Sequence, residues 1–146
     1  MGHIAASLDL PCPVDRVFAV AMRVEDLPRW MPEVVAAELL DPVMAPGARV
    51  RLRLSAAAAG AEVLGTVVTM EPPHRLAIAG AGGPIGVRVL VELRETAPGY
   101  THADLSVELD TPPFLGFVTR EAERRIEAGL PDALAHLRAL IEAEPA

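Results

Sequence analysis

From Ala48 to Asp110 the sequence runs mostly on a two-residue period, interrupted by turn residues. "ARVRLRLSA" sets Arg49, Arg51 and Arg53 on one face and Val50, Leu52 and Leu54 on the other. "VRVLVELRE" sets Val87, Val89, Val91 and Leu93 against Arg88, Leu90, Glu92 and Arg94. "THADLSVELD" sets Ala103, Leu105, Val107 and Leu109 against His102, Asp104, Ser106 and Glu108. Between them, "AEVLGTVVTM" is β-rich and apolar on both faces, "EPPHRLAIAG" reads as a Pro turn and a short strand, and "GAGGPIG" and "TAPGY" read as turns. Alternate side chains of a strand face opposite ways, so each segment has an inner and an outer face. Short turns allow only antiparallel neighbours. The constraint is therefore one antiparallel sheet with one wet face and one apolar face that something must cover. Arginines on one strand can pair with carboxylates on the next across the wet face.

The cover comes last. In "TPPFLGFVTREAERRIEAGLPDALAHLRALIEAEPA", Thr111 suits a cap, and Pro112 and Pro113 suit a first turn. Val118, Ala122, Ile126, Gly129 or Leu130, Ala133, Leu137 and Leu140 then keep a helical stripe for about 30 residues, or ~45 Å. Pro131 is expected to kink this helix, with Gly129 softening the same turn. At the other end, His3 to Leu10 reads as a strand that "PCP" ends. Pro13 and Asp15 open a helix whose stripe is Val14, Val17, Phe18, Ala21 and Val24. Glu25 and Asp26 offer a new cap for a second short helix, "DLPRWM", stopped by Pro32. "EVVAAELLD" and the turn "PVMAPG" follow. The expected fold is α+β. A curved antiparallel sheet wraps one long C-terminal helix, two short helices follow the first strand, and residues 1–146 form a single domain.

Composition excludes several chemistries. The chain has 146 residues, 51% of them hydrophobic, with a net charge of −7 and one cysteine, Cys12. That balance describes a folded core rather than a disordered chain. No run of 18 apolar residues exists, so no membrane span is expected. No basic run offers a nucleic-acid groove, and no nucleic-acid partner is expected. The N-terminal residues lack the basic region and apolar core of a signal peptide, and Ala6 stands where myristoylation wants Ser or Thr. A cytoplasmic location is the expectation. A single cysteine, flanked by Pro11 and Pro13, can form no internal disulfide and reads as a buried or half-buried structural thiol. Lysine, asparagine and glutamine are absent altogether. There is thus no Schiff-base lysine, no P-loop lysine and no side-chain amide for an oxyanion hole.

The remaining polar residues form no recognisable catalytic set. "GAGGPIG" is Gly-rich, but strands rather than a strand and a helix flank it, so a flexible hairpin loop at a rim is favoured over a phosphate cradle. His3, His74, His102 and His136 lack metal-ligand spacing and read as surface residues. Ser7, Ser55 and Ser106 sit in no nucleophile elbow. Glu25–Asp26 and Glu121/Glu123 read as helix-start and surface charge, and Arg49, Arg51 and Arg53 as an outer sheet face rather than an anion site. "REAERRIEAG" reads as a solvated helix face, with a docking surface as the alternative. No cofactor or metal is expected.

The order of elements, together with four local stretches, resembles the START-like (SRPBCC) superfamily, which includes the birch pollen allergen and the polyketide cyclase/dehydrase group. The stretches are "PCPVDRVFAVAMRVEDLPRWMPEV" with its Pro-Trp-x-Pro-like end, Gly47 after "PVMAPG", "GTVVTMEPPHRL", and "LPDALAHLRALIEAE". In the last, Leu137-Arg138 with Glu142 stands where members often carry Leu-Lys-x-x-x-Glu. The resemblance covers nearly the whole chain. It implies a helix-grip fold of seven antiparallel strands around the C-terminal helix, with an apolar cavity between them. It also implies a hydrophobic ligand such as a lipid, isoprenoid or polyketide, and for a minority of members cyclisation or dehydration of polyketides or help to chaperones.

On this basis the inward residues expected to line a cavity are Phe18, Trp30, Leu52, Leu54, Ile78, Val89, Leu105, Ile126 and Leu130. Small residues on the helix, Ala122, Gly129 and Ala133, leave room beside them. Three functions stay open. They are binding of a hydrophobic small molecule, polyketide cyclisation or dehydration needing acid–base groups inside the cavity, and a protein-interaction role. Either a monomer or a homodimer is compatible. Trp30, the single indole, is either an end plug or part of the cavity mouth.

Overall fold

The computed structural model describes residues 2–31, 33–55 and 62–143, with Pro32 and the side chains of Val118, Thr119 and Ala122 outside the described set. Strand β1 (Gly2–Leu10) is followed by helix α1 (Val14–Ala21), a 3₁₀ turn (Val24–Asp26) and the one-turn helix α2 (Leu27–Trp30). Strands β2 (Val34–Leu39), β3 (Arg49–Leu54), β4 (Glu62–Glu71), β5 (Arg75–Gly82), β6 (Ile85–Ala97) and β7 (Tyr100–Asp110) come next. A second 3₁₀ turn (Pro113–Leu115) leads into helix α3 (Gly116–Ala143). The seven strands form one sheet in the order β1-β7-β6-β5-β4-β3-β2, every pair antiparallel. The α+β helix-grip architecture is as the alternation and the closing helix require.

Register carries the alternation into three dimensions. Leu52 faces Val63, Val67 faces Ile78, Ile78 faces Val89, and Val89 faces Val107. One apolar row thus crosses β4 to β7, and a second runs Leu76–Val91–Leu105–Ala6. The opposite face carries the charges, as expected of a wet face. Arg51 lies 3.7 Å from Glu38 and 3.6 Å from Glu62, Arg75 lies 3.0 Å from Glu92, and Arg49 grips Asp41 at 2.9 Å. Exposed pairs of this kind contribute little each. Their value is that the polar face stays in water and the register is held.

Helix α3 is not used evenly. Of its described side chains the buried ones are Leu130, Ala133, Leu134, Leu137 and Ile141, all in the C-terminal half. The helix packs on β1, α1 and α2. Arg16 of α1 donates to the Ile141 carbonyl at 3.1 Å, placing a cation on the last turn of α3, where carbonyls lack helical partners. In the N-terminal half the described inward residue is Ile126, only half-buried. The helix runs through Pro131, which is exposed.

Several local expectations need correction. Thr111 does not cap α3, because a 3₁₀ turn intervenes and the helix starts at Gly116. The glycine-rich "GAGGPIG" is mostly strand, with Gly80 and Gly82 paired in the β5–β6 ladder and Gly83–Pro84 alone making the turn, Gly83 at φ +61°. Glycine is needed at Gly80 because β4 passes so close. A Cβ there would strike the Leu64 carbonyl oxygen and lie 2.7 Å from the Gly65 Cα. The second short helix is a 3₁₀ turn followed by a single α-turn, and Asp26 at its cap makes no side-chain capping bond. It instead lies 3.5 Å from Arg23 and 3.8 Å from Arg29. Cys12 is buried beside Thr101, whose hydroxyl, fully buried, donates to the Cys12 carbonyl at 2.7 Å.

Candidate functional site: an apolar cavity under the middle of the long helix

Beneath the middle of α3 the inner face of the sheet is incompletely filled. The gap is a cavity of about 120 Å³. Its floor is the apolar rows of the sheet: Leu52, Leu54, Val63, Leu76, Ile78, Val87, Val89, Val91, Val107 and Leu109. Its roof is Ile126, Gly129, Leu130 and Ala133 of α3, where Gly129 and Ala133 offer little bulk. Its end wall is Ala21, Met22, Val24, Leu27, Trp30, Met31 and Val34, with Met44 from the β2–β3 connection. Two polar groups interrupt this lining. Glu33 is half-buried, and its carboxylate accepts from the Ser55 hydroxyl at 2.6 Å while its backbone carbonyl accepts from the Ser55 N–H at 2.9 Å. Trp30 is 1% exposed, and its indole Nε1–H has no hydrogen-bond partner among the described residues.

The nine residues expected at a cavity divide. Trp30, Leu52, Leu54, Ile78, Val89, Ile126 and Leu130 lie along its wall. Phe18 and Leu105 do not. Phe18 is 4% exposed on α1, within the filled core under the C-terminal half of α3. Leu105 shares its row with Val91, but it lies on the β1 side of the sheet, opposite Ala6, where α3 packs down. The lining residues absent from that expectation include Val63, Leu76, Val87, Val91, Val107 and Leu109 of the sheet's inner face, and Met22, Met31, Glu33 and Met44, these four from helix ends and connections rather than from a periodic face. Their one sequence signal is nearness to Trp30, or for Met44 its place in an otherwise small and Pro-rich turn.

The other described titratable side chains lie elsewhere. His102 sits on the outer face of β7 with Nδ1 2.7 Å from Asp9 and Nε2 3.1 Å from Asp104. The hydrogen bond to Asp9, with both carboxylates favouring imidazolium, holds its pKa above the ordinary 6.5 against the opposing cost of burial. His74 approaches the Leu93 carbonyl at 3.1 Å, His3 lies 3.4 Å from Glu108, and His136 is exposed on α3. Tyr100 is half exposed at the β6–β7 turn. Among the described lining residues Glu33 alone is ionisable. No group of three His, Cys, Asp or Glu residues among the described residues could hold a metal ion. No helix among them is long and apolar enough to cross a membrane.

The architecture has known counterparts. A Thermus thermophilus protein superposes with a TM-score of 0.81 at 18% identity, over 99% of this chain and 100% of its own. An aromatase/cyclase from a Streptomyces species gives 0.81 at 15% identity, over 97% and 93%. A START superfamily protein from Mycobacterium smegmatis gives 0.73 at 13% identity, over 96% and 97%. At these identities the likeness is one of fold. A comparison with curated proteins found no match. The family model described as polyketide cyclase / dehydrase and lipid transport matches residues 1–142, and the chain belongs to that family.

Proposed function

We propose that this protein binds a small hydrophobic molecule in the cavity between the sheet and α3, with Trp30, Leu52, Leu54, Ile78, Val89, Ile126 and Leu130 among its contacts. The observation that carries this reading is a wall of aliphatic, methionine and indole side chains with Glu33 as its one charged member among the described residues. Such a surface gains free energy by shedding water and offers a charged substrate little. The volume, about 120 Å³, is close to that of an apolar cavity of about 150 Å³ that stays dry and takes up benzene. One ring or a short alkyl chain therefore fits without rearrangement. A larger polyketide, isoprenoid or lipid needs the wall to move, and half-buried Met22, Met31 and Met44 are unbranched side chains suited to moving. Burying about 200 Å² of guest surface contributes about 5 kcal/mol, which sets ring-sized affinities near 0.1–1 mM.

The family description and the likeness to an aromatase/cyclase support a second reading, polyketide cyclisation or dehydration. It would rest on Glu33 as the acid–base group, since the histidines and Tyr100 lie outside the described lining. We place the protein in the cytoplasm as a single-domain monomer or homodimer without a nucleic-acid partner, supported by its net charge of −7. The deciding experiment is solvent extraction and mass spectrometry of the purified protein, together with melting curves against a panel of ring-sized and long-chain apolar compounds at millimolar concentration. A co-purifying apolar compound, or a rise in melting temperature, is expected. Neither appearing across the panel would sink the binding reading, and turnover of a poly-β-keto substrate that Glu33→Gln abolishes would favour the second.

A further inference from the structure

Trp30 presents an unusual account of hydrogen bonds. Its ring lines the cavity and is 1% exposed, and its Nε1–H is buried with no partner among the described residues. Leaving a buried donor unpaired costs about 1–3 kcal/mol, and native structures hold few such groups. The one carboxylate in the described lining, Glu33, could have accepted from a donor three residues away, yet it is held by Ser55 at 2.6 Å. The remaining described wall is aliphatic apart from methionine sulfurs, which are weak acceptors. A ring that lines the cavity thus carries a buried, unpaired donor, and the described lining supplies no oxygen to it.

We propose that Trp30 selects the guest: the molecule bound here is apolar over most of its surface but carries one acceptor oxygen, a ketone or an alcohol or phenol, that takes the Trp30 Nε1–H. This rests on the reading of the cavity as a binding site and narrows its ligand class from hydrocarbon to oxygenated. Nε1 is covered, so the oxygen reaches it by displacing a covering side chain, and Met22, Met31 and Met44 are the adaptable members of the wall. The indole is a donor only, so a guest group that donates without accepting gains nothing at this position.

Ethylbenzene and acetophenone have nearly the same shape, and differ in that the second carries a carbonyl oxygen. Water holds the ketone more strongly, so the informative quantity is the ratio of their dissociation constants in wild type and in Trp30→Phe, measured by titration calorimetry. The ketone is expected to lose about 5-fold relative to the hydrocarbon in Trp30→Phe, the equivalent of one neutral hydrogen bond. In wild type, the single indole N–H resonance should move downfield with acetophenone and not with ethylbenzene, a readout that stands even if the variant folds poorly. An unchanged ratio, or an indole resonance indifferent to the ketone while both compounds bind, overturns the selectivity and leaves the binding site intact. Failure of both compounds to bind overturns the binding reading and this inference with it.

Discussion

Replacing Trp30 by alanine and by phenylalanine gives opposite expectations for two parts of one side chain. The ring is 1% exposed. A buried tryptophan removes about 200 Å² from water, worth about 5 kcal/mol at about 25 cal/mol per Å². Compactness of the unfolded chain trims that to about 4 kcal/mol. The unpaired Nε1–H works against it by about 1 kcal/mol or more. Trp30→Ala should therefore cost about 3 kcal/mol and lower the melting temperature by about 6–12 °C in a chain of this size. Trp30→Phe gives up about a quarter of the apolar area, about 1 kcal/mol, and sheds the unpaired donor, so it should stay within about 1 kcal/mol of wild type. Urea denaturation followed by far-ultraviolet circular dichroism measures both, since the indole is no longer there to report. A Trp30→Phe cost above about 2 kcal/mol would refute the reasoning, because it would mean that Nε1–H holds a bond in the folded protein.

Two further expectations concern the sheet. Gly80→Ala should cost about 2–3 kcal/mol by forcing β4 and β5 apart, since the new methyl would meet the Leu64 carbonyl oxygen. Gly86→Ala is the control: its Cβ finds nothing nearer than Asp110 at 3.6 Å, and equal effects of the two in thermal melts would dismiss the close approach as the cause. His102 has a folded pKa raised above 6.5 by its bond to Asp9, so its contribution to stability is complete below about pH 6.5 and is lost as pH rises through the raised value. Stability measured from pH 6 to 9 should fall over that window in wild type and be flatter in His102→Gln; identical curves would mean that the pairing with Asp9 and Asp104 does not couple to folding.

Much of this architecture is set by the chain locally. A two-residue period across Arg49–Leu54, Val87–Leu93 and His102–Leu109, joined by turns, leaves an antiparallel sheet with a charged outer face, because side-chain direction is fixed by position parity once the backbone is extended. The stripe from Ile126 to Leu140 supplies the helix that covers it, because a 3.6-residue period gathers those side chains on one side. Parity and period name the inner face, but they do not divide it. Val91 and Leu105 are direct neighbours with the same pattern, yet one borders the cavity and the other is packed shut. The difference is made by where α3 comes down on β1, α1 and α2, and that depends on contacts between residues a hundred positions apart. The same holds for Trp30. The sequence shows an indole between two prolines, and only the assembled wall shows that its ring faces aliphatic neighbours, that Glu33 is bound to Ser55, and that its N–H is left over. Whether a polar atom is satisfied is a property of everything packed around it, so it is decided by tertiary structure.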